Sequence, residues 1–291
     1  MFDPHLQHGP PGAASLDSRL KLHLRVLAVG GHTYRVLSLR PGARVRFSTN
    51  FFHHTWHVVT DPRGSRLFAR LLWGLAYERH PGTVLVIGGG HLLPTPFEAE
   101  RSDPILLAPA GFTRLDASAF RLLKRRLRQP GPPGKTVRWR TFGLDRALRN
   151  AAEKPVPHLA PQGEDDWPQW RSEEHVWQRE RMVRLGGFIC YTAPPPVLRL
   201  QALRVHAMGV GRDTNPCGMD YHYLAERTAE RAYADGEVQI FADYFDRVAA
   251  AVQARGELLA NPKVPVFSDT LQEEISRRRD QIKGRRLAAR R

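Results

Sequence analysis

The run LKLHLRVLAVGGHTYRVLSLRPGARVRF, residues 20–47, decides the fold. Leu20, Leu22, Leu24, Val26 and Ala28 alternate with Lys21, His23, Arg25 and Leu27, the period of a strand that buries one face. Gly30-Gly31 then supplies a two-residue hairpin turn, because primed turns need positive φ and glycine reaches it without strain. The return strand covers about Thr33 to Leu39. Pro41-Gly42 turns the chain again, and Val45 and Phe47 alternate with Arg44 and Arg46. The pattern predicts an N-terminal antiparallel meander, which His54 to Val59 would extend.

Downstream the period changes. Asp61-Pro62-Arg63-Gly64 breaks the strands, and Ser65 is placed to cap a helix to about Glu78 with Leu67, Leu71 and Leu75 on one face. Thr83 to Ile87 is a continuous apolar strand, as expected where both faces are covered. A short strand follows at Pro104 to Ala108. Thr113 and Asp116 form a capping pattern ahead of a helix through about Arg128, then come a strand at Thr136 to Phe142 and a helix at Leu144 to Glu153. The expected class is α+β or mixed α/β: a meander continuing into a βαβ-like unit, followed by a mainly helical C-terminal part. In that last part Gly187 to Thr192 reads as a strand. Asp220 is read as capping a helix to about Ala234, and Gly236 to Arg255 as a second helix with Val238, Phe241, Phe245, Val248 and Val252 inward.

The same pass divides the chain. Residues 1–18 are Gly/Pro-rich and expected to be disordered. A mixed α/β domain spans 19–153, a Pro-rich linker 154–169 in which the sign of charge reverses, a mainly helical region 170–262, and a basic helix or tail 263–291. A hydrophobic share of 42% supports a packed core. Neither a bilayer-length apolar run nor a secretory pattern at the N-terminus is present, so no membrane partner and a cytoplasmic location are expected. Cys190 and Cys217 are the only cysteines, which excludes a disulfide framework or a four-cysteine zinc site.

Charge is the strongest functional signal. The chain carries +15, and the excess sits in two blocks. Arg121, Lys124, Arg125, Arg126, Arg128, Lys135, Arg138, Arg140, Arg146 and Arg149 share residues 121–150 with one acid, Asp145. Arg277, Arg278, Arg279, Lys283, Arg285, Arg286, Arg290 and Arg291 share the C-terminal stretch with Asp280. Dense like charge calls for a counter-charge, and arginine's planar fork matches phosphate. The expected partner is a nucleic acid or another polyanion, bound with little sequence preference by an accessory protein of a bacterial DNA or RNA process. An acidic protein docked on the same cations is the alternative. Trp139, between Arg138 and Arg140, is either a stacking surface or a core residue under a basic outer face.

Other residue types suggest chemistry. His53 and His57 share one face of a strand, with His54 between them and His91 a candidate third member of a metal set. Gly88-Gly89-Gly90-His91 follows a buried strand, where open α/β sheets bind ligands. However, Leu93 occupies the last glycine position of the dinucleotide fingerprint, and no P-loop lysine follows. Asp213, Cys217 and His222 put a carboxylate, a thiol and a base within ten positions. An α/β enzyme using the Gly88–His91 turn or the Asp213–His222 loop is therefore a second expectation. Glu164, Asp165, Asp166, Glu173 and Glu174 read as a solvated linker and helix start. No cofactor is identified by any motif.

Overall fold

The computed structural model describes residues 20–114, 116–129, 134–153, 179–208, 218–225, 234–260 and 269–288. Two mixed sheets are built from β1 (Lys21–Val29), β2 (His32–Leu39), β3 (Phe47–Phe52), β4 (Thr55–Thr60), β5 (Thr83–Ile87), β6 (Ile105–Pro109), β7 (Lys135–Arg138), β8 (Arg181–Leu185), β9 (Phe188–Ala193), β10 (Met219–Leu224) and β11 (Gly236–Phe241). The helices are α1 (Pro62–Leu75), α2 (Ala117–Arg128), α3 (Leu144–Glu153), α4 (Pro195–Ala207), α5 (Tyr244–Leu259) and α6 (Asp269–Ala288).

The opening hairpin forms as the sequence predicts. Gly30 and Gly31 take φ values of 59° and 76°, and Val29 pairs with His32. A large sheet grows from this hairpin in the order β7-β1-β2-β5-β6-β9-β8. The apolar runs β5, β6 and β9 are buried along their whole lengths, because both faces of the sheet are covered. On one face Ala119, Phe120 and Leu123 of α2 pack against Val36, Val84, Val86, Leu106 and Cys190. On the other, α1 and α4 pack against Leu37, Leu85, Leu107 and Tyr191, and this core continues into Val58, Val238 and Ile240 of the smaller sheet.

The smaller sheet, ordered β10-β11-β4-β3, departs from the sequence expectation. β3 and β4 do pair antiparallel, but they form their own hairpin with β11 and do not extend the first meander. β10 and β11 occupy stretches read from sequence as helical, and the helix begins only at Tyr244. The physical reason is visible in Gly236–Phe241. Val238 and Ile240 point inward and Glu237 and Gln239 outward, a strand period. Val238, Phe241, Phe245 and Val248 also fall at helical spacing when strand, turn and helix are read as one. Residues before 154 and after 178 contribute to both sheets.

Helix starts follow from caps. Asp61 accepts from Gly64 N at 2.7 Å with Pro62 at the first helical position, so α1 opens ahead of Ser65. Asp116 caps α2 by accepting from Ser118 and Ala119 N. Among the described residues no helix is long and apolar enough to cross a membrane.

Candidate functional site

The first basic block is anchored by regular structure. Helix α2 turns Ala119, Phe120 and Leu123 inward, which leaves Arg121, Arg125, Arg126 and Arg128 exposed. Strand β7 adds exposed Lys135 and Arg138, and Arg140 follows, also exposed. β7 pairs antiparallel with β1, so Lys21 lies directly opposite Arg138 and Leu24 opposite Lys135. Residues opposite one another share a face, and like charges in that position repel. Along β1 the same face carries His23 and Arg25, and the Arg25 side chain lies against Gly134, where the chain enters β7. At the far end of β1, Val29 and Gly30 form with Leu122, Arg125 and Arg126 of α2 a shallow groove of about 250 Å³. One cationic surface thus runs from α2 over Lys21, His23 and Arg25 of β1 to Arg138 of β7, while Lys135, opposite Leu24, lies on the other face of the sheet. Among the described residues, Arg125, Arg126, Arg128, Lys135, Arg138 and Arg140 have no acidic partner. Lys124 differs: half-buried, it meets Asp103 at 3.1 Å and donates to Gly187 O.

Trp139 is buried in the main core, with its indole Nε1 donating to Arg70 O at 3.1 Å. Its backbone N–H donates to Leu20 O at 2.7 Å and continues the ladder beyond β7. The flanking Arg138 and Arg140 therefore face out.

The second basic block is mostly engaged with acids. It lies on α6, which packs Leu271, Ile275 and Ile282 against Ala250 and Ala254 of α5. Arg277 pairs with Glu274, Arg278 with Glu257 at 2.6 Å, Arg279 with Asp280, and Lys283 with Asp243 at 2.7 Å. Arg286 donates to Gln253, and Arg285 is exposed. Arg290 and Arg291 lie outside the described residues.

Of the residues read as catalytic candidates, His91 and His222 fall among the described residues and lie on different elements. His91 sits in a single 3₁₀ turn, Gly89–His91, buried with its Nδ1 3.4 Å from Val45 O. This turn borders β3 through the Phe47–Leu92 bridge. His222 sits on β10, the opposite edge of the smaller sheet, three strand spacings or about 14 Å from β3. Asp213 and Cys217 lie outside the described residues. Cys190 is a buried free thiol with its pKa pushed up to about 12 by burial. His53 and His54 make the β3–β4 turn with φ of 49° and 64°, and His53 stacks on Phe52. Among the described residues no three His, Cys, Asp or Glu side chains gather to hold a metal ion.

His57 has another physical role. It is 5% exposed on the outer face of the smaller sheet, and its Nδ1 has no hydrogen-bond partner among the described residues. Burial, helped by the nearby charge of His53, lowers its pKa to about 4. Stability from the neutral ring is complete above the unfolded pKa near 6.5 and is lost as pH falls towards 4. His57→Leu should lose about 2 kcal/mol less than the parent between pH 7 and pH 5, read from urea midpoints at both values. Equal losses would show that His57 does not titrate in this way.

A buried polar centre, which no sequence motif marks, joins the two sheets through α4. Glu180, just before β8, accepts from Tyr191 OH at 2.5 Å and from Gln201 Nε2 at 2.9 Å. The Gln201 carbonyl faces His222 Nε2 at 2.5 Å, so that nitrogen carries the proton. Burial raises the Glu180 pKa against the pull of these donors and lowers that of His222 to about 3. Glu180 and Gln201 are essentially inaccessible to solvent, so this centre ties layers together. Comparison with protein-family models, with curated proteins and with solved structures finds no match to this chain.

Proposed function

We propose that this protein binds the phosphate backbone of a nucleic acid, with little sequence preference, through the cationic surface of α2, β1 and β7. The observation that carries the reading is Lys21 directly opposite Arg138, on the sheet face that α2 covers, with Arg125, Arg126, Arg128 and Arg140 exposed and in no ion pair among the described residues. Such an arrangement repels itself until an anion sits on it. Arginine is suited to that anion because its guanidinium donates two parallel hydrogen bonds to one phosphate. The α6 arginines, held by Glu257, Glu274 and Asp280, contribute less to this surface. Charge there is already balanced, and exposed ion pairs exchange for phosphate with little net gain.

The test is the triple charge reversal Arg125→Glu, Arg126→Glu, Arg128→Glu. All three side chains are exposed, so the fold should hold. Affinity for labelled oligonucleotides should fall at least about ten-fold, and the dependence of log K on log salt should lose about three contacts or more. Unchanged binding would remove the assignment of this surface. Competition by heparin, with no binding of single-stranded or duplex nucleic acid, would favour an acidic protein partner instead.

A further inference from the structure

We infer that Phe142 is a base-stacking platform and that the bound polymer is single-stranded nucleic acid, an inference that rests on the phosphate-binding reading above. From Arg138 to Phe142 the chain alternates in burial, and Leu144 then opens α3 inward. Trp139, Thr141 and Leu144 are buried, while Arg138, Arg140 and Phe142 are exposed. Outward residues two apart in extended chain stand roughly 7 Å from one another, comparable to neighbouring nucleotides of a stretched single strand. Phe142 is 60% exposed, the most exposed of the phenylalanines among the described residues, with Phe52 at 57% and Phe51 at 51% standing away from the cationic surface at the β3–β4 turn. Its backbone is nevertheless fixed, because its carbonyl accepts from Trp73 Nε1 at 3.0 Å. Gly143, at φ 84°, then turns the chain into α3, whose first turns carry exposed Arg146 and Arg149. Along the chain the ring thus falls between exposed Arg138 and Arg140 before it and exposed Arg146 and Arg149 after it, with Asp145 the one acid in this stretch.

Cations that track a backbone, with an aromatic face between them, are what unpaired bases need. Bases inside a duplex are already stacked on each other and offer the ring no face, so the platform discriminates by strandedness. Tyr221 and Tyr223 are also exposed, but they stand on the strand beside β11, where Tyr223 pairs directly with Glu237, an acid in place of the arginines that flank Phe142.

The experiment compares the full chain with Phe142→Ala, Phe142→Trp and the α2 triple variant. Probes are fluorescein-labelled oligo(dT), oligo(rU), an abasic deoxyribose-phosphate oligomer and a hairpin duplex. Phe142→Ala should weaken oligo(dT) and oligo(rU) about ten-fold, leave the abasic oligomer and duplex within two-fold, and keep the parent's thermal midpoint. Phe142→Trp should restore single-strand affinity. A DNA–RNA difference that survives Phe142→Ala assigns sugar selectivity elsewhere and leaves the platform standing. Equal loss on duplex and single strand, or no loss on either, would overturn the stacking role even if the arginine variant still loses binding. If the parent binds none of the probes, or the arginine variant binds them all unchanged, the phosphate-binding reading fails and this inference with it.

Discussion

Gln201→Leu should lower the unfolding free energy by about 3 kcal/mol, although leucine fills a similar volume and suits a helix. Gln201 is fully buried on α4 and works in both directions. Its amide N–H donates to Glu180, while its carbonyl accepts from His222. Leucine removes both bonds at once, taking from the half-buried His222 N–H the acceptor it faces and from Glu180 a donor that stands beside Tyr191. Unpaired buried polar groups are the costly outcome, more so than the bonds' own net worth. The signature is therefore non-additivity. Adding His222→Phe removes the orphaned donor, so the double variant should be more stable than the sum of the two single changes predicts. Urea unfolding of the four proteins reads this directly, and strictly additive costs would refute the bridging role. pH supplies an independent check. The pKa of His222 is depressed to about 3, so its contribution is complete above pH 6.5 and drains away on acidification towards 3. Variants carrying His222→Phe should show a flatter acid limb.

The first hairpin was legible because its information is local: alternation on each side of Gly30-Gly31. The order of strands was not, because β2 pairs with β5 and β6 with β9 in parallel across long connections, and nothing in β2 names its distant partner. β11 was hidden by a coincidence of periods, its inward Val238 joining Phe241, Phe245 and Val248 in a helical-looking series. The cations of α2 and β7 stand out in sequence by density alone. Lys21 and Arg25 join them only through the β1–β7 register, and two of the four ion pairs that quiet α6 depend on Glu257 and Asp243, which lie outside its own block. Glu180 gives no signal, since a lone acid between Arg179 and Arg181 reads as surface. Phe142 was readable in principle: once Trp139 is turned inward, two-residue alternation turns Phe142 outward.

Trp139→Ala should cost about 4 kcal/mol, within the range for deleting a large buried aromatic ring, and it should damage binding as well as stability. The indole lies against α1 so closely that a Cβ placed on Gly74 would come within 2.3 Å of its Nε1. Gly74 is therefore the complement of Trp139: a glycine in the last turn of α1 gives up some helix propensity so that the ring can approach the α1 backbone and donate to Arg70 O. This yields a reciprocal prediction. Gly74→Ala should destabilise the parent by at least about 1–3 kcal/mol through overpacking. In the Trp139→Ala background the same change should stabilise, because it fills part of the cavity and adds helix propensity in the last turn of α1. Thermal or urea unfolding of the pair decides the sign, and destabilisation in both backgrounds would show that the contact is not the constraint. The functional consequence follows from the same geometry. Trp139 buried and hydrogen-bonded to Leu20 O is what sets Arg138, Arg140 and Phe142 on the outer side. Without that anchor the strip should lose its fixed orientation, and oligonucleotide affinity should fall even at temperatures where the alanine variant remains folded.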